Sequence, residues 1–354
     1  MPFGMMRHGF TYQAPQTSTG PGLWTQTSSI GYNYQQYQNQ KLDYVGDDSS
    51  SRPIFLYGHI SNADSKPYAV LIRRNSDGTY SFSTSVLIWN DANVGTTQAT
   101  SGLNSSGALV GVSQFAVGSG TYARAYTIDK DALSIGTPGT LATIEGAGNT
   151  ASFSYNTYLG NNRWGLGGRL SGPKQKLSTV SGTTITAGNN VTLPFGDGIY
   201  QQTAGFAYQA DNYYRFVGCN GNDGAVGAGH FYNSTAGGTV GIDISTVGQA
   251  QRDIARLNST NSAVMITNSG TTIELDNSLV CVYRDTGGSW NRSIITGSGI
   301  SLSQSSPVAI TDPTSYYATP WGKYVSTGQG NLLMLIMDAG TGTTDSVIYS
   351  EVIA

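Results

Sequence analysis

Short apolar stretches separated by polar, glycine-rich turns make up most of the chain. The clearest repeat has an apolar strand that leads into a turn of Gly, Asn or Asp, with further strand-like stretches on both sides. Its apolar members are Tyr68–Arg74, Tyr122–Asp129, Arg163–Leu170, Tyr214–Asn220, Leu279–Asp285 and Leu332–Asp338. β-branched and aromatic residues favour strands, whereas Gly and Asn favour tight turns. The pattern therefore predicts an all-β protein.

The turns that follow these strands recur about every 53 residues, a period typical of β-propeller blades. The turn centres are Asp77, Lys130, Gly172, Asn222, Gly287 and Thr341. Six units, each of about four antiparallel strands, predict a six-bladed β-propeller over residues 52–354. Residues 1–51 are rich in Gln and Tyr, and we interpret them as an N-terminal arm or a segment that closes the propeller. Five or seven blades, a pair of β-sandwiches and a trimeric β-helix are the structural alternatives.

Composition and charge exclude several classes of protein. Charged residues make up 11% of the chain, against roughly 25% in an ordinary soluble domain. The formal net charge of −3 provides no basic field for binding nucleic acid. No apolar run reaches the length of about 18 residues that suggests a transmembrane helix. Residues 1–11 lack a long apolar segment, so we expect no secretory signal peptide and no membrane insertion.

The sequence offers no convincing catalytic or metal-binding motif. The three histidines stand alone, and we expect solvent-facing or hydrogen-bonded loop positions for His8, His59 and His230. Metal sites need clustered His, Cys or carboxylate ligands. A glycosidase usually needs two carboxylates, and Glu274 and Asp285 are the weak candidates for that role. We therefore predict a protein that is not an enzyme and holds neither a metal nor a cofactor.

Binding through aromatic side chains is more plausible than catalysis. Ligand pockets combine apolar surfaces with a few well-placed polar groups. Several aromatic residues lie beside residues typical of loops, and these are candidates for surface binding sites. They are Trp164, Tyr213, Tyr214, Tyr316 and Trp321.

Three segments carry a resemblance to a known family. Ser181–Gly188 (SGTTITAG), Leu133–Pro138 and Ile295–Leu302 resemble repeats of the propellers in tail- and fibre-associated proteins of tailed bacteriophages. The resemblance extends over about residues 52–354 and is one of pattern and composition.

The resemblance implies a structural component of the virion in the tail, collar or fibre. Such a protein would assemble in the host cytoplasm as a homo-oligomer, dock on other virion proteins through its N-terminal arm, and contribute to attachment to a host-surface glycan. The alternative functions are a carbohydrate-binding propeller lectin and, third, a propeller enzyme that cleaves glycosides.

Overall fold

The computed structural model describes 19 segments of the chain. They are residues 25–27, 42–61, 63–91, 94–117, 120–145, 154–160, 162–169, 173–188, 190–192, 201–204, 213–220, 226–233, 242–243, 263–267, 279–284, 290–298, 301–310, 321–338 and 346–353. Within these segments every regular element is a β-strand. Among them there is no helix that is long and apolar enough to cross a membrane.

The strands form six antiparallel sheets, and the sheets follow one another in chain order. Each sheet is a blade of four strands in meander order, and in four blades a further short strand extends the outer edge. This arrangement confirms the predicted all-β propeller with six blades of about four strands. It follows from the sequence because each blade has two apolar faces that only neighbouring blades can bury.

The first three blades are continuous in sequence. Blade 1 comprises β2 to β6, which span Leu42–Asp47, Pro53–Ile60, Pro67–Arg74, Tyr80–Phe82 and Val86–Leu87. Blade 2 comprises β7 to β11, which span Val94–Leu103, Leu109–Val117, Gly120–Asp129, Ser134–Ile135 and Ala142–Glu145. Blade 3 comprises β12 to β16, which span Ser154–Gly160, Arg163–Arg169, Pro173–Ser181, Thr184–Thr186 and Asn190–Thr192.

Blades 4 and 5 are also continuous, whereas blade 6 is not. Blade 4 comprises β17 to β20, which span Gln201–Ala204, Tyr213–Asn220, Val226–Asn233 and Ile242–Asp243. Blade 5 comprises β21 to β25, which span Ala263–Thr267, Leu279–Arg284, Trp290–Ser298, Ser301–Gln304 and Val308–Ala309. Blade 6 comprises β26 to β28 and also β1, which span Trp321–Thr327, Gly330–Asp338, Ser346–Ile353 and Thr25–Thr27.

The outer strand of blade 6 comes from the N-terminal region. Thr25–Thr27 pairs with Ser346–Ile348 in antiparallel register. The division predicted between residues 51 and 52 lies between the first two strands of blade 1, because Leu42–Asp47 pairs with Pro53–Tyr57. Segments on both sides of that division therefore contribute strands to the propeller.

The repeat predicted from the sequence changes its phase between the second and third units. Tyr68–Arg74 and Tyr122–Asp129 are third strands of their blades, whereas the matching segments from Arg163 onward are second strands. The second and third strands are both central strands, buried on two faces, so both appear as apolar runs that end in a turn. The predicted number of blades was correct despite this ambiguity. The six predicted strands, however, do not hold the same place in their blades: they are third strands in blades 1 and 2 and second strands in the others.

The hydrophobic core lies between the blades. Side chains alternate along each strand, so one face of blade 1 packs toward blade 6 and the other toward blade 2. Phe55 and Tyr57 join Met334 and Ile336 of blade 6, whereas the neighbouring Leu56 packs toward blade 2. Among the described residues, the interfaces of blades 6 and 1, 1 and 2, and 2 and 3 are thus separate apolar layers, each filled from both sides.

Candidate functional site

Trp164 is a core residue, and its prediction as a surface aromatic was wrong. Its side chain has no exposed surface. The residue lies on β13 and joins a cluster with Ala123 and Ala125 of blade 2, whose small side chains accommodate the large indole. The indole also packs on Tyr158 at a ring-centroid distance of 4.8 Å. The neighbouring asparagines suggested a loop, but the turn ends just before this residue.

Three of the other predicted aromatic residues lie in described strands, and these strands belong to two different blades. Tyr213 and Tyr214 begin the second strand of blade 4, and Trp321 begins the first strand of blade 6. Because successive strands in a blade are antiparallel, first and second strands begin at opposite faces of the propeller ring. Tyr316 lies outside the described residues. Among the described residues, Tyr213 and Tyr214 therefore begin a strand at one face of the ring, and Trp321 begins a strand at the opposite face.

Glu274 and Asp285, the weak glycosidase candidates, also lie outside the described residues. Within the part of the chain that the structure describes, no group of three His, Cys, Asp or Glu side chains is placed to hold a metal ion.

A different set of aromatic residues meets between blades 1 and 2. We call it the Trp89 cluster, and it consists of Trp89, Phe115, Tyr122 and Arg124. The rings of Trp89 and Phe115 stack with centroids 6.0 Å apart and an interplanar angle of 25°. Phe115 stacks in turn on Tyr122 at 6.2 Å. The guanidinium carbon of Arg124 lies 5.1 Å from the centroid of the Trp89 ring, within the range of a cation–π contact.

The strand register explains how blade 2 presents its part of the cluster. Phe115 on β8 pairs with Tyr122 on β9, and Ser113 pairs with Arg124. Directly paired residues point to the same face of a sheet. Phe115, Tyr122 and Arg124 therefore share the face that looks toward blade 1, and the alternation along β9 places Tyr122 beside Arg124.

Blade 1 supplies Trp89 from the end of its outermost strand. The β6 strand pairs with the start of β4, and the N–H of Ile88 continues this pairing by donating to the carbonyl oxygen of Pro67 at 2.8 Å. Ile88 is fully buried and anchors the segment, whereas Asn90 is exposed. Trp89 stands between these two environments at the periphery of the ring.

The Trp89 cluster combines burial with access to solvent. Phe115 is fully buried, while Trp89, Tyr122 and Arg124 are all half-buried. Among the described residues, Arg124 has no ion-pair partner. Its buried Nε atom also has no hydrogen-bond acceptor. The cluster thus offers an aromatic surface next to an uncompensated positive charge.

His59 in blade 1 stands at the position equivalent to that of Phe115 in blade 2. The turns before these residues match, since Asp48 Oδ1 accepts from the N–H groups of Ser50 and Arg52 while Asn104 Oδ1 accepts from those of Ser106 and Ala108. Aligning Asp48 with Asn104 aligns His59 with Phe115. The cross-strand partners agree, because His59 pairs with Tyr68 and Phe115 pairs with Tyr122.

The environment of His59 differs from the loop position that we expected. It lies on β3, is 3% exposed, and stacks between Tyr57 at 6.2 Å and Tyr68 at 5.8 Å. Neither ring nitrogen has a hydrogen-bond partner. Burial lowers the pKa of His59 from 6.5 to about 4, although the backbone of Ile60 and the carboxylate of Asp64 oppose this shift. The imidazole is therefore neutral at pH 7 and serves as a packing group.

Buried ionic contacts hold other blades together. Arg292 of blade 5 donates to both carboxylate oxygens of Glu351 in blade 6, at 2.7 and 2.6 Å, and the hydroxyl of Tyr349 donates to the same carboxylate at 2.8 Å. Both charged residues are buried. In this arrangement each charge compensates the other, which marks a structural contact and contrasts with the uncompensated Arg124.

Sequence reasoning missed Trp89, although a signal was present. The segment Trp89–Asp91 (WND) has the same combination of an aromatic residue and loop-type residues that drew attention to Trp164. What the sequence does not reveal is the contact with blade 2, which determines that Trp89 forms a cluster with an arginine.

Comparison with solved structures agrees with a propeller fold. A lectin from Aleuria aurantia, solved as a mutant in complex with alpha-methyl-L-fucoside, is 12% identical, with a TM-score of 0.52; the match covers 90% of this chain and 96% of the lectin chain. A PQQ-bound aldose sugar dehydrogenase from Streptomyces coelicolor is 10% identical, with a TM-score of 0.44, and the match covers 95% of this chain and 99% of that chain. No family model and no curated protein matches the sequence.

Proposed function

We propose that the protein is a carbohydrate-binding β-propeller and that the Trp89 cluster is a saccharide site. The observation that carries the proposal is the meeting of two half-buried aromatic rings and an arginine without a counter-ion at the interface of blades 1 and 2. The shared fold with a lectin that was solved with a fucoside supports this class of ligand.

Each member of the Trp89 cluster has a role in this proposal. Trp89 offers indole surface for the C–H groups of a sugar ring, and Tyr122 adds a second aromatic surface with a hydroxyl at its tip. Arg124 supplies planar N–H donors for ring substituents. Phe115 is buried beneath them and keeps the rings in place. None of these roles requires bond cleavage, so the protein is expected to bind saccharide without turnover.

The proposal is tested by measuring saccharide binding to the wild type and to Trp89→Ala. A glycan panel followed by calorimetry on the best ligand gives the affinities. We expect Trp89→Ala to weaken binding about tenfold, since one stacked aromatic contributes on the order of 1–2 kcal/mol and tenfold is about 1.4 kcal/mol.

Phe82→Ala is the matched control for this experiment. Phe82 is also a half-buried aromatic residue on the outer edge of blade 1, but it packs toward blade 6. We expect its affinity to stay within twofold of the wild type. Equal losses in both variants, or binding by neither the variants nor the wild type, would refute a saccharide site at Trp89.

The virion role is a prediction that rests on the resemblance of the repeats to phage tail and fibre proteins. Neither of the two solved structures named above is a phage protein. Saccharide binding would suit attachment to a host-surface glycan, so the two roles do not exclude each other. Fractionation of a source lysate on a density gradient, followed by immunodetection, tests the virion role directly: the antigen bands with DNA-filled particles or stays at the top of the gradient.

A further inference from the structure

Arg124 differs from the other buried or half-buried arginines whose side chains the structure describes. Arg52 and Arg73 both reach the carboxylate of Asp48, at 2.8 and 3.7 Å, and Arg292 pairs with Glu351. Arg74 donates through Nε to the hydroxyl of Ser350 at 2.9 Å.

Arg124 has none of these compensations. No carboxylate among the described residues pairs with it. Its buried Nε atom lacks an acceptor; the Nε atom of Arg73 does too, but the Arg73 guanidinium still reaches Asp48. A charged donor that is removed from water without an acceptor is costly. The other arginines show that this protein usually avoids that cost.

The surroundings of Arg124 indicate what would compensate it. Its guanidinium lies 5.1 Å from the centroid of the Trp89 ring, so a ligand that contacts the indole also comes within reach of the arginine. A guanidinium binds a carboxylate or a sulfate through two parallel N–H donors, which gives both strength and orientation. Such a contact is strengthened further where an aromatic ring excludes water on one side.

We propose that the Trp89 cluster selects acidic saccharides and that Arg124 binds the carboxylate or sulfate group of the sugar. This inference rests on the proposed function and narrows its ligand class. Trp89 then contributes affinity for the sugar ring regardless of charge, whereas Arg124 discriminates between acidic and neutral sugars.

The test compares acidic oligosaccharides with neutral counterparts of the same chain length. Oligogalacturonides and their carboxyl-reduced forms provide the carboxylate arm, and sulfated and desulfated galactans provide the sulfate arm. We expect the wild type to prefer at least one acidic member over its neutral counterpart by tenfold or more. The arm that shows the preference identifies the acidic group.

The variant Arg124→Gln removes the charge and keeps a planar polar side chain. We expect it to lose at least tenfold in affinity for the acidic ligand and to stay within twofold for the neutral one. The acidic affinity of the wild type should fall as NaCl is raised from 50 to 300 mM, whereas that of Arg124→Gln should change little. Arg163→Gln is the matched control, because Arg163 is exposed on β13 in another blade.

The outcomes separate this inference from the proposed function. If Trp89→Ala loses binding while Arg124→Gln binds acidic ligands as the wild type does, the saccharide site stands and acidic selection is wrong. A wild type that prefers the neutral member in both arms also overturns the selection. If no saccharide of any charge binds, the proposed function itself fails. Equal thermal midpoints of wild type and Arg124→Gln establish that a loss of affinity is not a loss of fold.

Discussion

The interfaces on the two sides of blade 2 each contain a tryptophan, but in different environments. Trp164 lies between blades 2 and 3 and is fully buried, whereas Trp89 lies between blades 1 and 2 and is half-buried. The radial position explains the difference. Trp164 belongs to the second strand of its blade, near the middle of the layer, and Trp89 follows the outermost strand. At these two interfaces, the distance of the tryptophan from the ring axis therefore decides whether its side chain is buried in the core or reaches solvent.

The largest effect on stability is expected from Trp164→Ala. The substitution leaves a cavity in a layer that small residues had shaped around the indole, and such truncations typically cost about 3–5 kcal/mol. Urea unfolding followed by fluorescence measures the loss. The folded protein should still bind saccharide as the wild type does, because the Trp89 cluster lies on the other side of blade 2. A loss below 1 kcal/mol would contradict the core position of Trp164.

The second-largest effect on stability is expected at low pH and involves the interface between blades 6 and 1, where His59 is buried. The pKa of His59 is about 4 in the folded protein and 6.5 in its ordinary state. Between these values the unfolded chain binds a proton that the folded chain does not, so stability falls as the pH drops from about 6.5 to 4. The shift corresponds to a loss of roughly 3 kcal/mol below pH 4.

His59→Phe provides the test, because Phe is the residue at the equivalent position of blade 2. We expect urea unfolding at pH 7.5 and 5.0 to show a smaller acid-dependent loss in His59→Phe than in the wild type. Carboxylates that titrate in both proteins cancel in this comparison. An identical loss in both proteins would mean that His59 is not the group that responds to acid.

A smaller effect is expected from Asn156→Ala in the interface of Trp164. The Asn156 side chain donates to the carbonyl oxygen of Val112 in blade 2 at 2.6 Å, and it is 1% exposed. Removing the amide leaves a buried carbonyl group with one fewer donor, which costs about 1–3 kcal/mol. Asn90→Ala, at an exposed position beside Trp89, should change stability by less than about 0.5 kcal/mol. Thermal unfolding of Asn156→Ala, of Asn90→Ala and of the wild type measures the two losses of stability.

Apart from the control Asn90→Ala, the smallest effect on stability is expected from Trp89→Ala, the substitution that we expect to weaken saccharide binding. Its indole packs on Phe115 but keeps contact with solvent, so we expect a loss of about 1–2 kcal/mol. The same substitution at two tryptophans thus gives opposite results: Trp164→Ala lowers stability, and Trp89→Ala lowers saccharide affinity. If calorimetry and urea unfolding ranked the two variants in the same order, the distinction between core and site would fail.

The fold could be predicted from the sequence more completely than the Trp89 cluster could. Alternating apolar strands and Gly/Asn turns are local features, so six repeated units could be counted even though their phase slipped at Arg163. The site depends on contacts between segments that no local pattern connects. Trp89 and Arg124 lie in different blades. The strand at Trp164 was predicted, but not the contact with Ala123 and Ala125 of blade 2 that buries its indole.

The pairing of Thr25–Thr27 with Ser346–Ile348 joins the N-terminal region to the last blade without a hairpin, and we call this contact the seam of the ring. The other five blades are each continuous in sequence, so their strands stay linked through their hairpins when hydrogen bonds between them break. The outer strand of blade 6 is joined to its neighbour by backbone hydrogen bonds across three residue pairs. When this seam opens, the released strand of one molecule can complete blade 6 of a second molecule. Exchange of this strand would couple two rings while preserving the pairing of Thr25–Thr27 with Ser346–Ile348 in each. A dimer formed in this way would appear at high protein concentration and separate slowly on dilution.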